Sequence, residues 1–441
     1  MLRRYRWEKA KEKLKHYRRR QPETSTLYQV VYHSRDDLVY QWEPRFQAQY
    51  GVLRDEVTKT LDEYLNCGIL ARGAARVYCD GCKHSLLVAF SCKRRGLCPS
   101  CGAKRAVKFA EHVYDQVIED VPHRHTVFTI PKRLRVFFKY DRKLLSLLFR
   151  AAWRALSEAL GIDDRELAAI FTVQTAGEAL NYHPHLHGLV ADGYWRNGAF
   201  TRFSEIDLKA LTEAFTEQVL AQLHKRELIT DADVAQILSQ EHTGFSVWMG
   251  DPFHDPFHDK ESEQFVARYI ERAPLSLEKL SIQDDIVTYT TKDGAAHEFD
   301  ALEFLATLSA HVPKTYESIT RYYGRYSSRR RGERAELNAS PATEPDTNEG
   351  ECDPHREFKK SSWAACIKRI YEIDPLECPK CQRQMRIIAF IHDAHTISDI
   401  MKSQGIPNFR APPPIPEFVD TPEAIDEIPS YESFEPAPDE F

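Results

Sequence analysis

Two hydrophobic periods alternate through the middle of the chain. Runs rich in β-branched and aromatic residues predict four buried strands, at 124–131, 166–177, 183–193 and 244–250. Apolar residues that recur every three or four positions predict two long helices, at 134–160 and 208–228. The order strand, helix, strand, strand, helix, strand predicts an α+β fold, in which helices cover one face of an antiparallel sheet.

Weaker patterns extend this plan on both sides. Residues 45–70 have helical periodicity, and residues 285–300 alternate about a turn near Asp293-Gly294, which predicts a hairpin. A further helix is predicted over 316–332. Residues 333–359 are polar and poor in aromatic side chains, which is typical of a linker, and the acidic, proline-rich residues 406–441 are predicted to be disordered.

The charge of the chain is polarised. The formal net charge is −6, but residues 1–20 carry ten Lys/Arg and two Asp/Glu, whereas residues 401–441 carry two Lys/Arg and nine Asp/Glu. The basic block is compatible with a polyanion partner, and a solvated helix face explains it equally well. No apolar run reaches the roughly 20 residues of a membrane span, and the N-terminus has no secretory h-region. The sequence therefore predicts a cytoplasmic protein with no membrane partner.

Clustered cysteines predict a metal site. The spacing Cys79-x2-Cys82-x15-Cys98-x2-Cys101 is typical of structural Zn²⁺ held by four thiolates, with Cys92 as a fifth thiol inside the loop. Cations on the same module suit a phosphate backbone, and the candidates for DNA binding are Arg94, Arg95, Lys104 and Arg105.

A second cysteine pair lies near the C-terminus. Cys378 and Cys381 form only half of such a site. Either the pair is a lone knuckle without metal, or His392 or His395 completes a site.

The segment HPHLHGLV predicts a second kind of metal site. On a strand, residues i and i+2 point to the same face, so His185 and His187 project together while Leu186 points into the packed face. Two convergent imidazoles suit a divalent transition ion such as Mn²⁺ better than Mg²⁺. Glu178 and Gln174 are candidates for the further ligand.

Other histidines are weaker candidates. His183 precedes a proline at the entry to the strand. We discount the pair His123 and His125, because Arg124 would then occupy the packed face. His254 and His258 have helical spacing, but the proline between them favours a loop.

The segment RYYGRYSSRRRG predicts a nucleophile. Tyr322 and Tyr326 are four residues apart and would share one face of a helix, whereas Tyr323 would pack. A buried aromatic stripe would not tolerate the surrounding cations, which a phosphate site would need: Arg321, Arg325, Arg329, Arg330 and Arg331. A tyrosine that attacks phosphorus beside a metal ion would form a phosphotyrosine intermediate.

These segments resemble one known family. HPHLHGLV resembles the HUH motif of single-strand endonucleases, and RYYGRYSSRRRG is similar to the tyrosine motif of the insertion-sequence 91 (IS91) family of bacterial transposases. CKRRGLCPSCGAKRA, RHTVFTIPKRLR, ARYIERAP and CPKCQRQMRIIAFI resemble further landmarks of that family in the same order. The resemblance covers roughly residues 50–405.

The resemblance implies a function and a division into domains. It implies an HUH endonuclease core of ferredoxin/RRM-like α+β fold, preceded by a small zinc-binding domain, and rolling-circle-like movement of single-stranded DNA. The implied metal ligands are His185 and His187, the implied nucleophiles are Tyr322 and Tyr326, and the implied partners are single-stranded transposon ends and target DNA. The predicted divisions are a basic helical region 1–65, a zinc-binding domain 66–115, an HUH nuclease domain 120–332, the linker 333–359, a CPxC module 360–405 and the tail 406–441.

Three alternative functions are open at this point. A plasmid replication initiator or relaxase would use the same chemistry. A zinc-dependent DNA-binding regulator would need no catalysis, but it leaves the histidine pair and the Tyr/Arg segment unexplained. A metal hydrolase that activates water would not need the tyrosines.

Overall fold

Antiparallel sheets and packed helices make up the described part of the chain. The computed structural model describes residues 20–253, 274–338 and 376–408. Residues 1–19, His254, His258, most of the ARYIERAP segment, most of the predicted linker and the predicted disordered tail lie outside these ranges. None of the helices in the described residues combines the length and hydropathy that a bilayer crossing requires.

The strands are numbered in chain order. They are β1 Ala74–Tyr78, β2 Ser85–Ala89, β3 His123–Thr129, β4 Ala168–Ala176, β5 Tyr182–Ala191, β6 Gly193–Arg196, β7 Ala199–Arg202, β8 Ser246–Met249, β9 Leu280–Gln283, β10 Ile286–Thr290, β11 Ala296–Asp300, β12 Thr320–Gly324 and β13 Arg386–Ile391. They form sheets in the orders β12-β4-β5-β3-β8, β13-β1-β2, β11-β10-β9 and β6-β7.

The helices are numbered in the same way. They are α1 Thr26–Gln41, α2 Gln47–Tyr50, α3 Asp55–Asn66, α4 Pro99–Gln116, α5 Arg135–Tyr140, α6 Leu145–Leu160, α7 Leu208–His224, α8 Asp231–Leu238, α9 Ala301–Ser309, α10 Ser328–Asn338 and α11 Ala394–Ser403. The predicted order of strands and helices is confirmed, and the chain is an α+β protein.

The five-stranded sheet has two different faces. One face packs Phe128, Phe171 and Leu186 against α6 and α7, with Phe215 of α7 only 5.1 Å from Phe128 between ring centroids. On the other face, α4 packs Ala110 and its neighbours against the β4 and β5 positions around Ile170 and Leu189. The sequence pattern predicted helices on one face only. That prediction is wrong, because α4 covers part of the second face. The part of the second face that carries the histidines lies beyond this contact.

Three predicted helices differ from the structure. The pattern at 134–160 forms two helices, because the Asp141 side chain accepts a hydrogen bond from Lys143 N at 2.9 Å and starts a new turn. The pattern at 45–70 likewise divides into α2 and α3, with Gly51 at φ 78° after α2. The helix predicted over 316–332 is wrong, since β12 and a turn precede α10. That helix continues to Asn338, so the first residues of the predicted linker are helical.

Candidate functional site

His185 and His187 lie side by side on the open part of the sheet. Their Nε2 atoms are 3.1 Å apart, and both side chains are partly buried. Two nitrogens held at about 2.1 Å by one ion, at a right angle, would be about 3 Å apart. Burial lowers the pKa of His185, which keeps its imidazole neutral as a metal ligand requires. The geometry therefore fits a divalent ion.

Two further histidines adjoin this pair. His125 Nε2 lies 2.9 Å from His187 Nδ1, and the two rings stack with centroids 5.2 Å apart. His183 has its ring centroid 5.1 Å from that of His185, and its buried Nε2 has no hydrogen-bond partner among the described residues. An unsatisfied buried nitrogen beside the pair makes His183 a stronger candidate ligand than its sequence position indicated.

The reason for discounting His125, that Arg124 would occupy the packed face, was wrong. Arg124 does not enter the packed core: it donates to Asp192 Oδ1 at 2.5 Å and to Gly250 O at 3.2 Å at the end of the sheet. The sequence contained no direct signal for this ion pair. The His-x-His alternation in β3 is the same as in β5, however, and it would have indicated His125 as a neighbour of the histidine pair if Arg124 had been expected to form an ion pair at the end of the sheet.

The two predicted further ligands have different positions. Gln174 pairs directly with His185 across β4 and β5, so both residues lie on one face. Glu178 is exposed in the turn after β4, where its carboxylate accepts a hydrogen bond from Lys292 N at 2.9 Å. The structure therefore brings Gln174, but not Glu178, to the histidines.

Tyr322 lies on the same face of the sheet as the histidines. It pairs with Ile170, which in turn pairs with Leu189, two residues beyond His187. Two interstrand steps of about 4.8 Å and two residues of about 3.4 Å place Tyr322 Cα roughly 12 Å from His187 Cα. The Tyr322 ring is partly buried, with the Arg331 guanidinium 5.5 Å above it and the His112 ring 6.3 Å away. His112 was not predicted, because it lies on α4, far away in sequence.

Tyr326 is fully buried. Its hydroxyl lies 2.7 Å from His123 Nε2 and accepts a longer hydrogen bond of 3.4 Å from Glu119 N. Burial lowers the pKa of His123 to about 4, so the imidazole that hydrogen-bonds to the hydroxyl is neutral. Burial also raises the pKa of Tyr326 above its ordinary value. The two tyrosines are therefore not equivalent.

Gly324 explains why the two tyrosines do not share a helix. Its φ of 55° is in the left-handed region, and a Cβ there would collide with Leu167 O. The chain turns at this residue, so Tyr322 stays on the strand while Tyr326 enters the apolar cluster beneath α4. The prediction that Tyr323 packs is confirmed, since its ring stacks on Trp153 at 5.1 Å in the opposite core.

The predicted four-cysteine zinc set is wrong as a single site. Cys98 and Cys101 converge instead with Cys67 and Cys92, whereas Cys79 and Cys82 belong to another cluster, with Cys378 and Cys381. The spacing was misleading because both CxxC pairs have partners outside the 79–101 segment. The alternative in which His392 or His395 completes the C-terminal pair is also wrong: cysteines complete it.

The first cluster suits Zn²⁺. Cys67 Sγ lies 3.7 Å from Cys98 Sγ and 3.8 Å from Cys101 Sγ, close to the roughly 3.8 Å edge of a tetrahedron with Zn–S bonds of about 2.3 Å. Arg20 donates to Cys67 Sγ at 3.3 Å and so offsets thiolate charge. Cys98 precedes the first residue of α4, so the cluster anchors the helix that packs under Tyr322 and Tyr326.

Many of the predicted DNA-binding cations have internal partners. Arg94 pairs with Glu63, Arg95 donates to Glu317 O at 2.7 Å, and Arg325 pairs with Glu119 at 2.5 Å. Arg105 donates to Lys93 O, Arg321 lies over Phe149, and Arg329 and Arg330 pair with Glu333. Lys104 is partly buried on α4. A groove of about 360 Å³ beside α10 is lined mainly by cationic side chains; its lining is Arg165, Arg325, Arg330, Glu333 and Arg334.

Two sequence families match this chain. Residues 38–130 match the family described as "Transposase zinc-binding domain", and residues 169–334 match the family described as "Putative transposase". The matches include Cys67 to Cys101, the histidine strand and both tyrosines. No solved structure matches the chain.

Two curated relatives are similar over most of their length. One is the transposase for insertion sequence element IS801 of Pseudomonas savastanoi pv. phaseolicola, 25% identical over 82% of this chain and 90% of the relative. The other is the putative transposase y4qJ of Sinorhizobium fredii, 25% identical over 67% of this chain and 80% of the relative. With the zinc-binding domain followed by the transposase domain in one chain, this protein belongs to the IS91-like family of transposases.

Proposed function

We propose that this protein nicks and rejoins single-stranded DNA through a covalent 5′-phosphotyrosine intermediate, and so moves an insertion sequence by a rolling-circle-like mechanism. The observation that carries the proposal is the 3.1 Å approach of His185 Nε2 and His187 Nε2 on the sheet face that also bears Tyr322. A divalent ion, Mn²⁺ or Mg²⁺, held by His185 and His187 with Gln174 or His183 nearby would polarise the scissile phosphate.

The residues of the chain would share the remaining work. The Tyr322 oxygen would attack phosphorus and lose its proton, while the P–O3′ bond breaks and the 3′ oxygen gains a proton. Arg331, above the Tyr322 ring, would favour the developing phenolate, as a cation close to a phenol does. Attack by a 3′-hydroxyl on the phosphotyrosine would re-form a phosphodiester and release Tyr322.

A single strand would have contacts on the same face. Trp248 pairs with Val127, which pairs with His187. The residue is 51% exposed, and its ring centroid lies 5.4 Å from that of His125. An exposed indole beside a phosphate site is suited to stacking against an unpaired base. The basic groove beside α10 would accept the backbone.

The test is an adduct assay. End-labelled single-stranded DNA that carries the transposon end, incubated with the protein and Mn²⁺, should give a covalent adduct on a denaturing gel. His187→Ala should abolish the adduct and spare much of the DNA binding, whereas the matched control His224→Ala, at an exposed α7 histidine paired with Asp231, should leave both unchanged. Normal nicking by His187→Ala would place the chemistry elsewhere, and DNA binding with no adduct from the wild type would favour a non-catalytic regulator.

A further inference from the structure

Four thiols from opposite ends of the chain converge beside the β13-β1-β2 sheet. Cys79 Sγ lies 3.5 Å from Cys381 Sγ, Cys82 Sγ lies 3.4 Å from Cys378 Sγ, and all four sulfurs are within 4.8 Å of one another. These distances are too long for a disulfide, with its S–S bond of about 2.05 Å, and close to the roughly 3.8 Å edge of a tetrahedral four-thiolate zinc site.

The two halves of this cluster have the same backbone conformation. In each half, the amide of the first cysteine donates to the carbonyl five residues later, at 2.8 Å for Cys79 and 2.9 Å for Cys378. The amide four residues later donates back to the cysteine carbonyl, at 2.9 and 2.8 Å respectively. That fourth residue has a positive φ in both halves, 62° at Lys83 and 61° at Gln382. Two equal knuckles that face each other provide four converging thiols, as a tetrahedral ion requires.

The cluster joins parts of the chain that, among the described residues, are otherwise held by one strand pairing and a small apolar contact. β13 pairs antiparallel with β1, from Ala74 opposite Ile391 to Tyr78 opposite Arg386. Within the described part of the chain the apolar contact is small: Ile397 and Met401 of α11 pack with a few residues in and beside the β13-β1-β2 sheet, and Met385 packs beside the sulfurs. Such a core is too small to be stable by itself, and small modules of this kind depend on metals or disulfides.

We propose that Cys79, Cys82, Cys378 and Cys381 form a second structural zinc site, which fastens the C-terminal module to the N-terminal zinc-binding domain. Cys378 and Cys381 lie outside the residues that match either transposase family. The zinc-binding domain is then discontinuous in sequence, and its three-stranded sheet is complete only when this ion is bound. The ion has no part in DNA cleavage, so the site is independent of the function proposed above.

The two zinc sites differ in exposure. In the second site Cys82 is exposed and Cys381 is partly exposed, whereas three cysteines of the first site are buried. Because chelators reach an exposed thiolate first, the second site should lose its ion before the first. Partial removal of zinc should therefore release the C-terminal module while α4 stays anchored.

The first measurement is the zinc content of the full-length protein. Wild type should contain two zinc ions per chain, and the double variant Cys378→Ser/Cys381→Ser should contain one. Cys352→Ser, which changes a cysteine that is not one of the eight proposed ligands, is the matched control and should retain two. A wild type with one ion, or a double variant with two, overturns the proposal.

The second measurement does not depend on the cysteine variants folding. A protease site is inserted between residues 341 and 350 of the full chain, and the cut protein is passed over a size-exclusion column. The two fragments should elute together when zinc is bound, and should separate after mild chelation has removed one of the two ions. Fragments that stay together after that ion is lost, or that separate while both are bound, overturn the proposal.

Discussion

The unequal burial of the two tyrosines predicts an order of use. For Tyr326 to reach a phosphate, its ring must leave the core and its hydroxyl must leave His123 Nε2. Exposing a buried aromatic side chain costs about 3 kcal/mol, and the lost hydrogen bond adds about 1 kcal/mol. A total of about 4 kcal/mol leaves roughly one molecule in a thousand with Tyr326 outside. The first cut should therefore use Tyr322.

The two phenylalanine variants should accordingly behave differently. Tyr322→Phe should form less than about a hundredth of the wild-type adduct in the first cut, because only a very small fraction of molecules has Tyr326 outside the core. Tyr326→Phe should form the first adduct at nearly the wild-type rate and fail in strand transfer, which needs a second nucleophile. Peptide mass spectrometry of the adduct measures the order directly, and Tyr323→Phe, whose ring lies in the opposite core, is the control.

Stability provides a separate check on the same reasoning. Tyr326→Phe leaves His123 Nε2 and Glu119 N without the hydroxyl, which should lower the free energy of unfolding by about 1 to 3 kcal/mol. Tyr322→Phe should cost less than about 1 kcal/mol, because its ring is partly exposed. Urea unfolding with unchanged slope measures both values. A first adduct on Tyr326, or equal stability of Tyr326→Phe and wild type, would refute the burial argument.

Three further predictions concern other residues. Gly188→Ala should lower the free energy of unfolding by about 1 to 3 kcal/mol in urea unfolding, because the added Cβ would press into Phe171 and Thr126. Gly198→Ala is the comparison: that site is open and has room for the methyl group, though its φ of 83° adds strain. Trp248→Ala should weaken single-stranded DNA binding by about 1 to 3 kcal/mol in fluorescence anisotropy, with Trp248→Phe close to wild type, and equal loss in both would exclude stacking. Burial lowers the pKa of His311 to about 4 from 6.5, so the protein takes up a proton when it unfolds between these pH values. The neutral His311 should therefore contribute on the order of 3 kcal/mol to the free energy of unfolding above pH 6.5, and this contribution should fall as the pH drops to 4. A His311→Asn variant with the same acid sensitivity as wild type would contradict this.

Alternation along the strands was sufficient to predict four of the five strands of the main sheet, all but β12, and the face of the histidines. The parity of His185 and His187 about Leu186 is a local property, and the pairing of β4 with β5 preserves it. The prediction of a helix for the tyrosine segment was wrong because a spacing of four residues fits a helix as well as a strand followed by a turn. The pairing of β12 with β4 distinguishes the two, and this pairing depends on residues far earlier in the sequence, with Gly324 opposite Ala168.

The predicted grouping of the cysteines into one zinc site was wrong for the same kind of reason. Spacing identifies a CxxC knuckle but not the knuckle that faces it, and Cys82 meets Cys378 across 296 residues of sequence. Likewise, His125 and His112 reach the site only through the pairing of β3 with β5 and the packing of α4 on the sheet. The sequence predicts which side chains can do chemistry, whereas the long-range pairing determines which of them meet.

The position of β13 in the sheet has a consequence for synthesis of the protein. β1 lies between β2 and β13, so its second edge stays open until residues 386–391 have left the ribosome. About 300 residues separate the two strands, which at roughly 5 to 20 residues per second is a delay of about 15 to 60 seconds. During that time, and permanently in a copy of the gene that ends early, the nascent chain exposes an unpaired strand edge of the kind that promotes aggregation. Premature stop codons would thus yield insoluble protein even when they spare every residue of the five-stranded sheet.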